Sequence, residues 1–92
     1  MEDEYREIVR KFYEIYRPLQ KKHNLRYHMH FDIYDDGLIE IWEYEGETKK
    51  KCISIAREEK DIDCYKRAID DLEHYRKDRE EEEYERKTAM AG

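Results

Sequence analysis

The stretch from Leu25 to Tyr44 constrains the fold most, because it predicts a β-hairpin. Residues 25–34 alternate strictly between apolar side chains and polar or aromatic ones. A period of two residues is typical of a strand with one buried face. Asp35-Asp36-Gly37 follows, and a second alternating run extends from Leu38 to Tyr44. The sequence therefore predicts two antiparallel strands that are joined at Asp-Asp-Gly.

The alternation also predicts how the two strands pair. A two-residue turn would set apolar beside charged residues on both faces, which a half-buried sheet opposes. A three-residue turn at residues 35–37, closed by a left-handed Gly37, avoids this conflict. It pairs Ile33 with Ile39 and Phe31 with Ile41 on the core face. We therefore predict this register.

The second face of the predicted hairpin carries aromatic, histidine and acidic side chains. The pairs expected on it are His30 with Trp42, His28 with Tyr44, Tyr34 with Leu38, and Asp32 with Glu40. The last pair joins like charges and weakens the pairing. Aromatic residues dominate binding hot spots, and exposed apolar patches mark contact sites. This face is therefore the candidate working surface if no helix covers it.

A helix and a third strand are predicted on either side of the hairpin. Apolar residues at three- and four-residue spacing indicate an amphipathic helix over residues 2–23. Pro18 is expected to kink this helix, and Asn24 to end it in a left-handed conformation. A turn at residues 45–49 leads into a strand over residues 50–57. Its alternation predicts Ile53 and Ile55 on the core face, and Cys52, Ser54 and Ala56 on the other.

The C-terminal part of the chain predicts a long helix from Asp61 to about Lys87. Its apolar stripe ends at Tyr75, and pairs of opposite charge at four-residue spacing follow. The helix is therefore expected to project into solvent from about residue 76. Residues 88–92 are predicted to be disordered.

These elements predict an α+β fold with the order α-β-β-β-α. The sheet is expected to be a three-stranded antiparallel meander, with both helices stacked on its apolar face. A chain of 92 residues fits one small domain, here placed at residues 1–87.

The amino-acid composition limits the classes of protein to which this chain can belong. Charged residues make up 48% of the chain, and the net charge is −6. No apolar run approaches the roughly 20 residues that span a bilayer, so no membrane partner is expected. The charged N-terminus predicts no signal peptide, and Cys52 and Cys64 are expected to be free thiols in the cytoplasm. The acidic balance argues against nucleic acid as a partner.

The chain offers few residues for catalysis or metal binding. No nucleophile elbow or phosphate loop is present, so we predict no enzyme and no cofactor. His28 and His30 have a spacing found in metal sites, but aromatic neighbours are expected across the sheet. We predict no metal there, although the two imidazoles would give sensitivity to pH near neutrality.

Protein binding is the function that the sequence favours. We expect a larger protein partner. A basic nucleic-acid-binding surface on that partner would complement the acidic side chains of this chain. A homodimer joined through the open sheet face is an alternative. The predicted contact residues are Trp42, Tyr44, Tyr34, Leu38, His28, His30, Asp35, Asp36, Glu40 and Glu43.

Two families resemble this chain. The element order over about residues 2–87 is similar to the double-stranded RNA-binding domain, which implies a nucleic-acid-binding module as an alternative function. That family has a lysine-rich start to its last helix, whereas Asp61-Ile-Asp-Cys-Tyr-Lys is acidic. The Asp35-Asp36-Gly37 turn and the other acidic positions resemble small acidic phage inhibitors of the anti-CRISPR type. This second resemblance implies an inhibitor or adaptor that occludes a larger partner.

Overall fold

A computed structural model describes residues 2–91 and has the predicted element order. The elements are α1 (Glu2–His23), β1 (Leu25–His30), β2 (Gly37–Glu45), β3 (Thr48–Glu58) and α2 (Asp61–Ala91). The strands form one antiparallel sheet in the order β1-β2-β3, and both helices pack on the same side of it. The α+β prediction is confirmed. Neither helix is long and apolar enough, within these residues, to cross a membrane.

The first helix has the bounds that its periodicity predicts. Pro18 lies inside α1, and the helix continues to His23. Asn24 follows with a φ of 54°, and its N–H donates to the carbonyl of Gln20 at 3.1 Å. A left-handed residue of this kind closes the last helical turn. The predicted end at Asn24 is therefore confirmed.

The predicted hairpin register is wrong by four positions. β1 ends at His30, and residues 31–36 form a six-residue loop in place of the predicted turn. Met29, and not Ile33, lies opposite Ile39. Because the shift is an even number of residues, the core-facing positions of β1 still face the helices.

The end of α1 explains this register. The side-chain amide of Asn24 donates to the carbonyl of Tyr44, and the N–H of Tyr44 donates back to the carbonyl of Asn24, both at 3.0 Å. Leu25 is buried beside this junction, where its carbonyl accepts the hydroxyl of Tyr16 at 3.2 Å. The register is thus set where the helix joins the strand. It also places His28 opposite Glu40, which removes the unfavourable Asp32 pairing.

The faces predicted for β3 are reversed over its second half. Ser54 and Ala56 are buried, whereas Ile55 is 47% exposed on the other face. Ser54 lies opposite Ile41 and Cys52 lies opposite Trp42, so Ile53 is an extra residue in the ladder. A β-bulge of this kind changes which side chains face the core.

The second helix supplies most of the remaining core. Its buried residues include Cys64, Tyr65, Ala68, Ile69, Leu72 and Tyr75. Beyond Tyr75 only Arg79 and Glu83 are partly buried as far as residue 89. The helix continues past the predicted end at Lys87 to Ala91, so residues 88–91 are helical, and Gly92 lies outside the described residues.

Gly37 is expected to resist substitution because the base of the loop is tightly packed. A Cβ at this position would lie 2.9 Å from Cδ1 of Phe31 and 3.0 Å from Sγ of Cys64. Overpacking at such a site costs about 1 kcal/mol or more, so Gly37→Ala should lower the free energy of unfolding by at least that amount. Chemical denaturation checks this. A variant as stable as the wild type would show that Phe31 moves aside freely.

Candidate protein-contact surface

The side of the sheet opposite the helices is the most distinctive surface. No helix of residues 2–91 covers it, and its side chains form cross-strand rows. We call this surface the outer face; its residues are Arg26, His28, His30, Leu38, Glu40, Trp42, Tyr44, Lys49, Cys52, Ile55 and Arg57. Four apolar or aromatic side chains thus share a helix-free surface with cations and one carboxylate.

Trp42 lies at the centre of the outer face and is half-buried. Its Nε1 donates to Oε1 of Glu40 at 3.2 Å, and Nζ of Lys49 lies 4.6 Å from the ring centroid. Cys52 is opposite Trp42 as predicted, but Arg26 occupies the place predicted for His30. The indole is therefore oriented by a hydrogen bond and a cation–π contact.

Tyr44 is held in a similar way at the end of the outer face. The guanidinium of Arg26 lies 4.4 Å from its ring centroid. Both terminal nitrogens of Arg26 also donate to the carboxylate of Glu47, at 3.1 and 3.2 Å. That hydrogen bonding lowers the pKa of Glu47. Tyr44 pairs with Asn24 through its backbone, so the predicted pairing with His28 is wrong.

The loop over residues 31–36, which we call the acidic loop, carries the most exposed apolar side chains. Ile33 and Tyr34 are each 88% exposed, although Ile33 was predicted to lie in the core. The N–H of Tyr34 donates to Oδ1 of Asp32 at 2.9 Å. Phe31 is half-buried against Tyr65, with ring centroids 5.8 Å apart. The loop is thus anchored at its base while its apolar tip faces solvent.

A wide cleft of about 690 Å³ runs beside the acidic loop. Its charged lining consists of Asp32, Asp35, Asp36, Glu59, Asp61 and Arg57. Five carboxylates and a single guanidinium give this end of the sheet a negative potential. A surface of this composition complements a basic one.

Glu43 does not belong to the exposed surface, contrary to the prediction. It lies on the helix-covered face with 6% of its surface exposed. The hydroxyl of Tyr75 donates to its Oε1, and Nζ of Lys50 lies 3.7 Å from Oε2. Burial alone would raise the pKa of Glu43, but the Tyr75 hydrogen bond and the charges of Arg79 and Lys50 outweigh it and lower the pKa. Glu43 is therefore a buried carboxylate with partners of its own.

The other predicted contact residues lie either on the outer face or in the acidic loop at one end of it. His28, His30, Leu38, Glu40, Trp42 and Tyr44 are on the outer face, and Tyr34, Asp35 and Asp36 are in the acidic loop. Sequence reasoning missed the roles of Ile33, Ile55, Arg26 and Lys49. For Arg26 a signal was present, because it alternates in phase with His28 and His30.

Both cysteine thiols have raised pKa values. Partial desolvation raises the pKa of the Cys52 thiol, although the residue as a whole is exposed, and burial raises the pKa of the Cys64 thiol. A nucleophilic cysteine needs a lowered pKa. Among residues 2–91, no three His, Cys, Asp or Glu side chains are grouped to hold a metal ion.

Comparison of the chain with protein-family models, with curated proteins and with solved structures found no match.

Proposed function

We propose that this protein is a small binding module, an inhibitor or adaptor, that occupies the surface of a larger protein. The observation that carries the proposal is the outer face, an open sheet surface bearing Trp42, Tyr44, Leu38 and Ile55. Aromatic and apolar side chains on an uncovered surface are typical of protein–protein contact sites. Both aromatic rings are already oriented by cations, which limits the conformational entropy lost on binding.

The acidic loop extends the proposed contact surface and indicates the chemistry of the partner. Ile33 and Tyr34 are apolar anchors, and the carboxylates around them favour a partner cleft with lysine or arginine at its rim. Proteins that process nucleic acids carry such basic surfaces, because they bind phosphates. We therefore favour a nucleic-acid-processing protein or complex as the partner, occluded by this chain.

Alanine substitutions on the proposed surface should weaken binding. We expect Trp42→Ala and Tyr34→Ala each to weaken partner binding by more than about 1 kcal/mol, the usual threshold for a contributing interface residue. The matched control is Tyr84→Ala, which removes a 72% exposed tyrosine from α2, away from the sheet. Affinity capture on the immobilised wild type and the three variants, followed by titration of the captured partner, measures the difference in binding free energy.

Two outcomes would overturn the proposal. If the surface variants and Tyr84→Ala bind the same partner equally well, the outer face and loop are not the contact site. If the purified protein binds duplex RNA or DNA tightly in a gel-shift assay, the nucleic-acid-binding alternative replaces it. Sedimentation across a concentration series separately detects the homodimer alternative, which Trp42→Ala should dissociate.

A further inference from the structure

A polar contact joins the last residue of α1 to α2 just beyond the hydrophobic core. Nη2 of Arg79 lies 3.0 Å from Nδ1 of His23. The imidazole of His23 also packs edge-on against the ring of Tyr75, with centroids 5.7 Å apart and planes at 87°. We call the His23–Arg79 contact the clasp.

The clasp requires a neutral His23. A guanidinium group can only donate hydrogen bonds, so Nδ1 of His23 must accept and cannot carry a proton. A protonated imidazole donates from both nitrogens and would meet the positive charge of Arg79 at hydrogen-bonding distance. The contact that joins the end of α1 to α2 at neutral pH therefore becomes repulsive when His23 is protonated.

Charged groups of both signs surround His23, and several of them are paired with other residues. Arg79 itself also donates from Nη1 to Oε2 of Glu82 at 3.2 Å. Lys22, next to His23 on α1, adds a second positive charge and is paired with Glu83 of α2 at 2.9 Å. Glu43 of β2 is bonded to Tyr75 and lies near Lys50 of β3. The remaining charged groups that line the same cleft of about 200 Å³ are Glu14 of α1 and Arg76 and Glu80 of α2.

Burial, Arg79 and Lys22 together lower the pKa of His23, although Glu43 and Glu83 act in the opposite direction. The ordinary pKa of histidine is about 6.5. Because the folded-state pKa lies below this value, the neutral form and the closed clasp are favoured at pH 7. The clasp is lost as the pH falls below about 6.5 and passes through the folded-state pKa.

Few contacts other than the clasp hold the distal part of α2. Between residues 76 and 89 only Arg79 and Glu83 are partly buried. The contact of Glu83 is its ion pair with Lys22, whose side chains are 57% and 40% exposed. Exposed pairs of this kind contribute little. We infer that protonation of His23 opens the clasp and releases α2 beyond Tyr75 from α1, and that the released part of the helix then frays.

Nuclear magnetic resonance on the full chain between pH 7.5 and 5 tests this inference. Carbon-13 Cα shifts and amide-exchange protection report the helix over residues 79–84, with exchange corrected for its intrinsic pH dependence. Once His23 titrates, we expect protection in the wild type to fall about tenfold per pH unit. His23→Gln, which keeps an acceptor for Arg79 and does not titrate, should abolish this dependence.

The matched control is His74→Gln, because His74 is an exposed histidine of α2 whose Nδ1 lies 2.8 Å from the carbonyl of Asp70. This variant should retain the full pH response. The inference is overturned if the wild-type helix signals do not change above pH 5, or if His23→Gln responds with the same midpoint. If His23→Gln does not fold, the wild type is tested by itself. The pH midpoint of the change in its helix signals must then equal the midpoint measured for the His23 ring, and not the midpoint measured for His28, His30 or His74.

Discussion

Replacing Phe12 by alanine should destabilise the protein by about 3–5 kcal/mol, the usual range for a buried phenylalanine. Phe12 is fully buried, and its ring contacts the rings of Tyr13, Tyr16, Tyr27 and Tyr65 at centroid distances of 5.0–6.4 Å. Truncation would leave a cavity where α1, β1 and α2 meet. Small domains have only about 5–15 kcal/mol of total stability, so the variant should be close to unfolding. Urea denaturation measures the loss.

The control for Phe12→Ala is Ile33→Ala. Ile33 is 88% exposed in the acidic loop, so its truncation should change the free energy of unfolding by no more than about 0.5 kcal/mol. This comparison also tests the hairpin register, because the sequence alone places Ile33 in the core. If Ile33→Ala loses as much stability as Phe12→Ala, Ile33 lies in the core and the predicted three-residue turn at residues 35–37 is the correct one.

Tyr75→Phe should cost about 1.5–3 kcal/mol at pH 7, the range for a hydrogen bond to a charged group. The substitution keeps the ring against His23 but removes the hydroxyl that donates to the buried carboxylate of Glu43. The matched control is Tyr65→Phe on the same helix. The hydroxyl of Tyr65 donates to the sulfur of Met29, at 3.6 Å, and has no charged acceptor like Glu43, so its loss should cost less.

The pH dependence of this cost follows from Glu43. Its pKa is lowered in the folded protein, so its contribution to stability is present above its ordinary pKa, near 4.3, and is lost as the pH falls through the folded value. Removing the Tyr75 hydroxyl raises the folded pKa and moves this loss to higher pH. The stability difference between wild type and Tyr75→Phe should therefore be largest near neutrality and shrink below about pH 4. A pH-independent difference would show that the hydroxyl does not act through the carboxylate.

The helices were predictable because their signals are local. Three- and four-residue spacing defined α1, and Asn24 marked its end through a conformation that few residues adopt. The apolar stripe of α2 also ended at Tyr75, the last buried residue of this helix as far as residue 89. None of these inferences required knowledge of which residues meet across the fold.

The strand register was not predictable, because alternation fixes only which face a residue occupies. Any even shift of β1 against β2 keeps the same face in the core. Long-range contacts decide between these shifts, above all the bonds of Asn24 and Tyr16 that fix Leu25. The bulge at Ile53 was missed for a similar reason, since both isoleucines of β3 favoured the core by hydrophobicity alone.

The placement of the candidate surface residues was largely predictable, apart from that of Glu43. The register error leaves the faces of β1 and β2 unchanged. His28, His30, Trp42 and Tyr44 therefore lie on the outer face, as predicted. Glu43 was misplaced because a carboxylate in a strand is usually exposed, and its buried partner Tyr75 lies 32 residues away in the sequence.

The two irregularities in β3 have a consequence for behaviour at high concentration. This strand is eleven residues long and forms one edge of the sheet. Unprotected edges of that length recruit further strands and begin polymerisation. Here the extra residues at Lys50 and Ile53 break the repeat of free N–H and C=O groups, and three successive lysines repel a second copy. These features of β3 disfavour edge-to-edge assembly through this strand, while the outer face stays uncovered.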